Sequence, residues 1–244
     1  MLFRSVSQSR YLTQFPSHDI HGSYDIHKLS AKKFPEGKLL SKSDYVIICG
    51  NFGLQWDDSS EEKWWLNWLD ERPWTTLFCD GNHECHTMLN DLPLVEMFGS
   101  KVGKVNDSVY HLKRGEVYNI DGKKFFVMGG AESTDKASRV EHISWWKEEI
   151  PSCSEFDKGL RSLDEHNWKV DYVISHTAPK VAIMELFKQT NQYMFERFDA
   201  VTQYFDQIEN LLDFKHWYFG HFHADIRLDD NFTCVYNEVI RLWD

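Results

Sequence analysis

Trp74-Thr75-Thr76-Leu77-Phe78-Cys79-Asp80-Gly81-Asn82-His83-Glu84 is the stretch around which the chain is organised. An apolar, β-leaning run leaves Pro73 and stops at Gly81, where Asn82, His83 and Glu84 follow in a row. A buried strand ending in this way delivers metal-binding or proton-moving groups to a sheet edge. Three further stretches repeat the pattern. Asp44 to Asn51 ends in Gly50-Asn51, Asp171 to His176 ends in its histidine, and His216 to His223 ends in Gly220-His221-Phe222-His223. Continuous apolar runs of this length suit strands buried on both faces, and open α/β sheets place ligands outside the carboxyl ends of their strands. Asp19-Ile20-His21-Gly22 supplies the carboxylate that the other four stretches lack.

The composition is compatible with this reading. The 244 residues are 42% hydrophobic, with ten Trp and seventeen Phe, enough for the core of one large domain. A net charge of −11 argues against a broad basic face for nucleic acid, though a phosphate-bearing substrate remains compatible if metal ions supply the positive charge. Five cysteines without a C-x-x-C pair point to a reducing, cytoplasmic setting. No run approaches the roughly 18 apolar residues of a membrane span, so no membrane partner is expected. Residues 1–18 carry Arg4, Arg10, four serines and no acid, and are expected to be an irregular segment ahead of a single domain over 19–244. Within that segment Arg10 to Thr13 has the makings of a short first strand.

Along the chain, helices are expected from Tyr24 to Phe34, from the capping-box spacing of Ser59 and Glu62 up to Pro73, and over Met88 to Phe98 with a break near Pro93. Trp64, Trp65, Trp68 and Leu69 fall at helical spacing and read as core. Ser108 to Leu112, Glu116 to Ile120 and Lys124 to Met128 alternate as strands of a second sheet, with Asp121-Gly122 as a two-residue hairpin turn. Ala131 to Arg139 reads as an exposed polar loop. Helical periodicity returns at Val140 to Ile150, Ser154 to Asn167 and Asp199 to Leu212, and Asp225 to Tyr236 closes as a hairpin.

Each ligand-type residue alone has an ordinary explanation; their order is what carries information. Asp19, His21, Asn51, Asn82, His176, His221 and His223 provide one carboxylate, two amide oxygens and four imidazoles. Mixed N and O donors suit Mn, Fe, Co, Ni or Zn rather than Ca, and the number is about enough for two ions. Two divalent ions can clamp a phosphoryl group and activate a bridging water.

From Asp19 to His223 this order resembles that of the calcineurin-like metallophosphoesterase superfamily. Asp19-Ile20-His21-Gly22, Gly81-Asn82-His83-Glu84 and Gly220-His221-Phe222-His223 are its most specific motifs. The resemblance implies an α/β fold, a four-layer α/β/β/α sandwich of two mixed sheets with helices on the outer faces. It also implies hydrolysis of phosphomonoesters or phosphodiesters by a metal-bridging hydroxide without a covalent intermediate. Asp19, His21 and His223 would hold one ion and Asn82, His176 and His221 the other, with Mn first and Fe, Ni, Co or Zn as alternatives. His83 would steady the phosphoryl oxygens or protonate the leaving group, and Glu84 would orient a neighbour or cap the next helix.

One departure stands out. Where the family has G-D-x-x-D, this chain reads Gly50-Asn51-Phe52-Gly53-Leu54. Asn51 replaces the Asp that bridges the two ions, so weaker metal binding and reduced catalysis are expected. The leading expectation is a phosphoesterase acting on a small phosphorylated molecule or nucleotide. A serine/threonine-type protein phosphatase and a catalytically impaired phospho-ligand-binding module are the alternatives. Arg139 and Asn82 are candidate substrate contacts, Arg139 by a bidentate grip on phosphate.

Overall fold

The structure is a computed structural model and describes residues 10–13, 26–191, 198–229 and 231–242. Its strands, in chain order, are β1 (Arg10–Thr13), β2 (Tyr45–Cys49), β3 (Thr75–Cys79), β4 (Leu94–Met97), β5 (Ser100–Lys104), β6 (Val109–Leu112), β7 (Glu116–Ile120), β8 (Lys123–Met128), β9 (Tyr172–Ser175), β10 (His216–Phe219), β11 (Ile226–Arg227), β12 (Phe232–Cys234) and β13 (Ile240–Arg241). They form a seven-stranded sheet, β13-β1-β2-β3-β6-β5-β4, and a six-stranded sheet, β11-β12-β10-β9-β8-β7. Central strands run parallel and antiparallel pairs lie toward the edges, so both sheets are mixed.

Alternation along β2 explains the layers. Ile47 and Cys49 point between the sheets, where they pack with Leu77, Phe125, Val127 and Ile174. Val46 and Ile48 point outward and meet Leu66 and Leu69 of α1 (Ser60–Asp70) and Leu89 of α2 (His86–Asn90). Across the molecule, Phe126, Val173, Trp217 and Phe219 face α3 (Cys153–Glu165), α4 (Lys180–Thr190) and α5 (Ala200–Glu209), which cover the second sheet through Leu163, Ile183, Leu186 and Phe205. Because the central strands are buried on both faces, their sequences are mostly apolar rather than alternating. The order of layers is helix, sheet, sheet, helix.

Several expectations are corrected. The segment 1–18 is not wholly irregular, because β1 lies between β2 and β13 and belongs to the first sheet. Tyr24 to Phe34 is not one helix: its described part holds the 3-10 turn Ile26–Leu29, and Pro35 starts another, Pro35–Leu39. Beyond Asn90 the helix stops and β4 pairs with β5 through Phe98-Gly99, both at positive φ. β6 joins the first sheet beside β3 rather than the second. Val140 to Ile150 forms only a 3-10 turn, Lys147–Glu149, since Val140 and Ile143 are exposed and no apolar face rewards a helix. The tryptophan stripe is not all core: Trp64 is 57% exposed, and Leu66 and Leu69 carry the buried face of α1. α4 has no counterpart among the expected helices.

Other expectations stand. Asp121-Gly122 turns β7 into β8 with both residues at positive φ. Asp199 caps α5 as expected, whereas the cap of α3 lies two residues ahead of the expected Ser154, where Ser152 and Glu155 form a full capping box. All five cysteines are free. Among the described residues no helix is long and apolar enough to cross a membrane.

Candidate functional site

The carboxyl ends of β2, β3, β9 and β10 converge, and two glycines allow it. A Cβ on Gly50 would lie 2.1 Å from His176 Nδ1, and one on Gly81 would lie 2.1 Å from Asn51 Oδ1. The loops therefore interlock at backbone distance. Asn51 (φ 51°), His221 (φ 68°) and His223 (φ 51°) all adopt left-handed backbone, a conformation that costs energy in non-glycine residues and is concentrated at functional sites.

His176 is fully buried, and its Nδ1–H donates to the Cys49 carbonyl at 3.0 Å. Burial, then the neighbouring His221, holds its pKa well below the usual imidazole range, so Nε2 is a bare lone pair. That nitrogen lies 2.8 Å from Asn82 Oδ1 and 3.2 Å from His221 Nδ1. The amide of Asn82 has a fixed orientation, because its Nδ2 donates to Ser133 Oγ at 3.0 Å. Ser133 in turn donates to Glu149 Oε2 at 2.6 Å, and its backbone N–H donates to Oε1 at 2.9 Å. In this orientation an oxygen lone pair and a nitrogen lone pair stand face to face. Spacings near 3 Å are those of adjacent ligands on an ion with bonds of about 2.1 Å. Two imidazoles and an amide oxygen form a donor set that fits a borderline divalent cation.

Asn51 sits differently from a bridging carboxylate. Its Oδ1 accepts the His83 backbone N–H at 2.9 Å, and among the described residues its buried Nδ2 has no hydrogen-bond partner. An aspartate would present a second oxygen where this orphaned donor stands. His83 is half-buried, and burial, then Arg139, pushes it down to about 3, so the ring is neutral at pH 7. His221 and His223 also act on its charge, which places both near it.

Arg139 does not offer its fork to a ligand as expected. Its Nε and Nη2 donate to the two carboxylate oxygens of Asp135 at 2.8 and 2.7 Å, and Nη1 donates to the Ser144 carbonyl. His223 stacks on Tyr236, with centroids 4.9 Å apart. Asp19 and His21 lie outside the described residues. Among the described residues there is no group of three or more His, Cys, Asp or Glu placed to hold a metal ion. The described donor set is accordingly two histidines and an asparagine, without a carboxylate.

Buried acidic side chains support these loops. Glu84 is 2% exposed, and its carboxylate accepts backbone N–H groups of Phe52, Gly53 and Gly81, tying the β2 and β3 loops together. Burial nonetheless pushes its pKa up to about 8. The orienting reading of Glu84 is the one the contacts bear out. Asp80 receives Nε and Nη2 of Arg114 at 2.8 and 2.5 Å and Nε2 of His111 at 3.1 Å. Burial opposes its ionisation, but Arg114 and His111 outweigh it and hold the carboxyl well below the usual range. Ser133, Glu149, Asp80, Arg114 and His111 are supporting residues that sequence reasoning missed. Asp80 stood in the quoted stretch, while the other four carry no motif.

The chain matches no protein-family model, and no curated protein is significantly similar to it.

Proposed function

We propose that the protein is a metal-dependent phosphoesterase of calcineurin-like type, hydrolysing a phosphomonoester or phosphodiester of a small molecule or nucleotide. One observation carries the reading: Asn82 Oδ1, His176 Nε2 and His221 Nδ1 converge within 2.8–3.2 Å. Asn82 Oδ1 and His176 Nε2 face each other without a proton between them, and a cation bound there would stabilise both. Asn82, His176 and His221 would hold one divalent ion; His223, with Asp19 and His21, would hold the second. Manganese is the first candidate, ahead of Fe, Ni, Co and Zn.

Bound there, divalent ions would supply positive charge against phosphoryl oxygens and acidify water for attack on phosphorus. Neutral His83, pushed down to about 3, keeps one ring N–H, which suits hydrogen-bond donation to a phosphoryl oxygen rather than protonation of the leaving group. Gly50, Gly81 and Glu84 hold the two asparagine loops at this edge. A second reading, a phospho-ligand-binding module with little turnover, is favoured by the amide nitrogen of Asn51, which has no hydrogen-bond partner among the described residues.

The test is hydrolysis of p-nitrophenyl phosphate and bis-p-nitrophenyl phosphate with and without Mn²⁺, alongside bound-metal analysis, for this chain and Asn51→Asp. The expected result is chelator-sensitive turnover that rises by orders of magnitude in Asn51→Asp together with the amount of bound metal. Metal binding without turnover in either chain would move the binding-module reading to the front. No metal binding in either chain would overturn both the ligand set and the enzyme.

A further inference from the structure

Beside the His176 and His221 pair a cavity of about 570 Å³ opens between the loop after β8 and helices α4 and α5. One side is apolar, formed by Ile183 and Phe187 of α4, Phe198, and Phe222. Phe187 and Phe222 meet edge to face with centroids 5.7 Å apart, and Lys180 Nζ lies 4.9 Å from the centroid of Phe198. His221 lines the same cavity, so its inner end reaches the proposed phosphoryl site.

The polar side is acidic and already committed. Glu132 forms an ion pair with Lys136. Asp199 accepts the backbone N–H groups of Thr202 and Glu132, both at 2.7 Å. Lys136, the cation among these lining residues, is therefore spoken for. Such a wall offers no unpaired cation among its lining residues to a second anionic group and leaves aromatic rings to make the contacts. The volume lies within the range of small-molecule pockets and accommodates a fused ring or a nucleoside.

Resting on the phosphoesterase reading, we infer that this cavity receives the leaving group of the substrate, and that the group is an uncharged aromatic one. The preferred esters are then aryl or nucleoside phosphates. Polyphosphates and esters of small aliphatic alcohols are poor substrates.

The test compares 1-naphthyl phosphate with glycerol 3-phosphate on Mn²⁺-loaded protein, and measures saturation transfer to the ring protons of 1-naphthol on metal-free protein. Each is done for the parent chain, Phe198→Ala, and Phe187→Leu, which keeps an apolar side chain in the core. Phe198→Ala is expected to lower kcat/KM for the naphthyl ester about tenfold while changing the glycerol ester by no more than about twofold. Phe187→Leu is expected to lower the naphthyl value severalfold, and saturation transfer is expected to fall in both variants. Equal effects on the two esters, or transfer that neither variant reduces, would overturn the inference. Should no ester be hydrolysed with any ion, the phosphoesterase reading fails and saturation transfer alone decides the cavity. Transfer lost in Phe198→Ala then supports an aromatic site, and its absence from the parent chain overturns it.

Discussion

Asn82 Oδ1 lies 2.8 Å from His176 Nε2, and neither atom has a proton to give the other. The arrangement persists because each group is tied from behind, the imidazole by the Cys49 carbonyl and the amide by Ser133 and Glu149. On the proposed reading a cation resolves the conflict, and the residues behind the donors govern how tightly it binds. Ser133→Ala is expected to weaken Mn²⁺ or Zn²⁺ binding by about 10–100-fold, as for other groups that orient metal ligands. Calorimetric titration of the metal-free protein measures this without reference to turnover. Affinity unchanged in Ser133→Ala and in His176→Ala would place the ion elsewhere.

Glu84 is the clasp between the asparagine loops. In Glu84→Gln the single oxygen can serve Phe52 and Gly81, but the new NH₂ group faces the Gly53 N–H that Oε2 now receives at 3.1 Å. The expected cost is about 1–3 kcal/mol. Urea denaturation should show the loss, and hydrogen exchange should show it localised, with the Gly53 amide exchanging faster than amides in β9.

Asp80 and Arg114 form a fully buried ion pair, so their separate removal differs from their joint removal. Asp80→Asn and Arg114→Met are each expected to destabilise the fold by about 3–5 kcal/mol, since each strands a charge. The double variant should lose less than the sum of the two, by about 1–3 kcal/mol. Strictly additive losses in a double-mutant cycle would show that the two charges are not coupled.

His86 and His111 are buried neutral, with burial as the main cause in both. Arg114 comes second for His86, pushed down to about 3, and Lys113 second for His111, pushed down to about 4. A lowered folded pKa means that the unfolded chain takes up protons first. Their contribution to stability is therefore complete above about 6.5 and is lost as pH falls from there through 4 toward 3. Within that window each ring costs at most about 1.4 kcal/mol per pH unit. Urea midpoints measured on the acid side of neutrality should fall, and the slope should flatten in His86→Gln with His111→Gln. An unchanged slope would assign acid sensitivity to other groups.

What could be read from the residues followed from which physics left a local trace. Doubly buried strands must be continuously apolar, so β2, β3, β9 and β10 and the residues after them were legible, as were the Asp121-Gly122 turn and the Asp199 cap. Phe98-Gly99 makes a comparable turn, but phenylalanine carries no turn signature and the strands β4 and β5 were read through as helix. Val140 to Ile150 shows the opposite failure, helical spacing with no surface to bury it. At the site, donors that follow strands were recognisable. Their positioning partners were not: Glu149 reaches Ser133 from a 3-10 turn, and Arg114 reaches Asp80 from the end of another strand. The charge state of Asn51 was legible, but the direction of its amide depends on a backbone N–H that only the fold supplies.

The pairing of β1 with β13 sets a timetable for synthesis. β1 finds its parallel neighbour β2 early, while its antiparallel neighbour β13 follows every other described strand in the chain. Until β13 is made, one side of β1, next to the strand that leads into Asn51, is an open edge in the nascent chain. Synthesis of β13 is thus the event that covers this side of β1, and a chain stalled shortly before residue 240 would carry every described donor of the site beside an unfinished sheet.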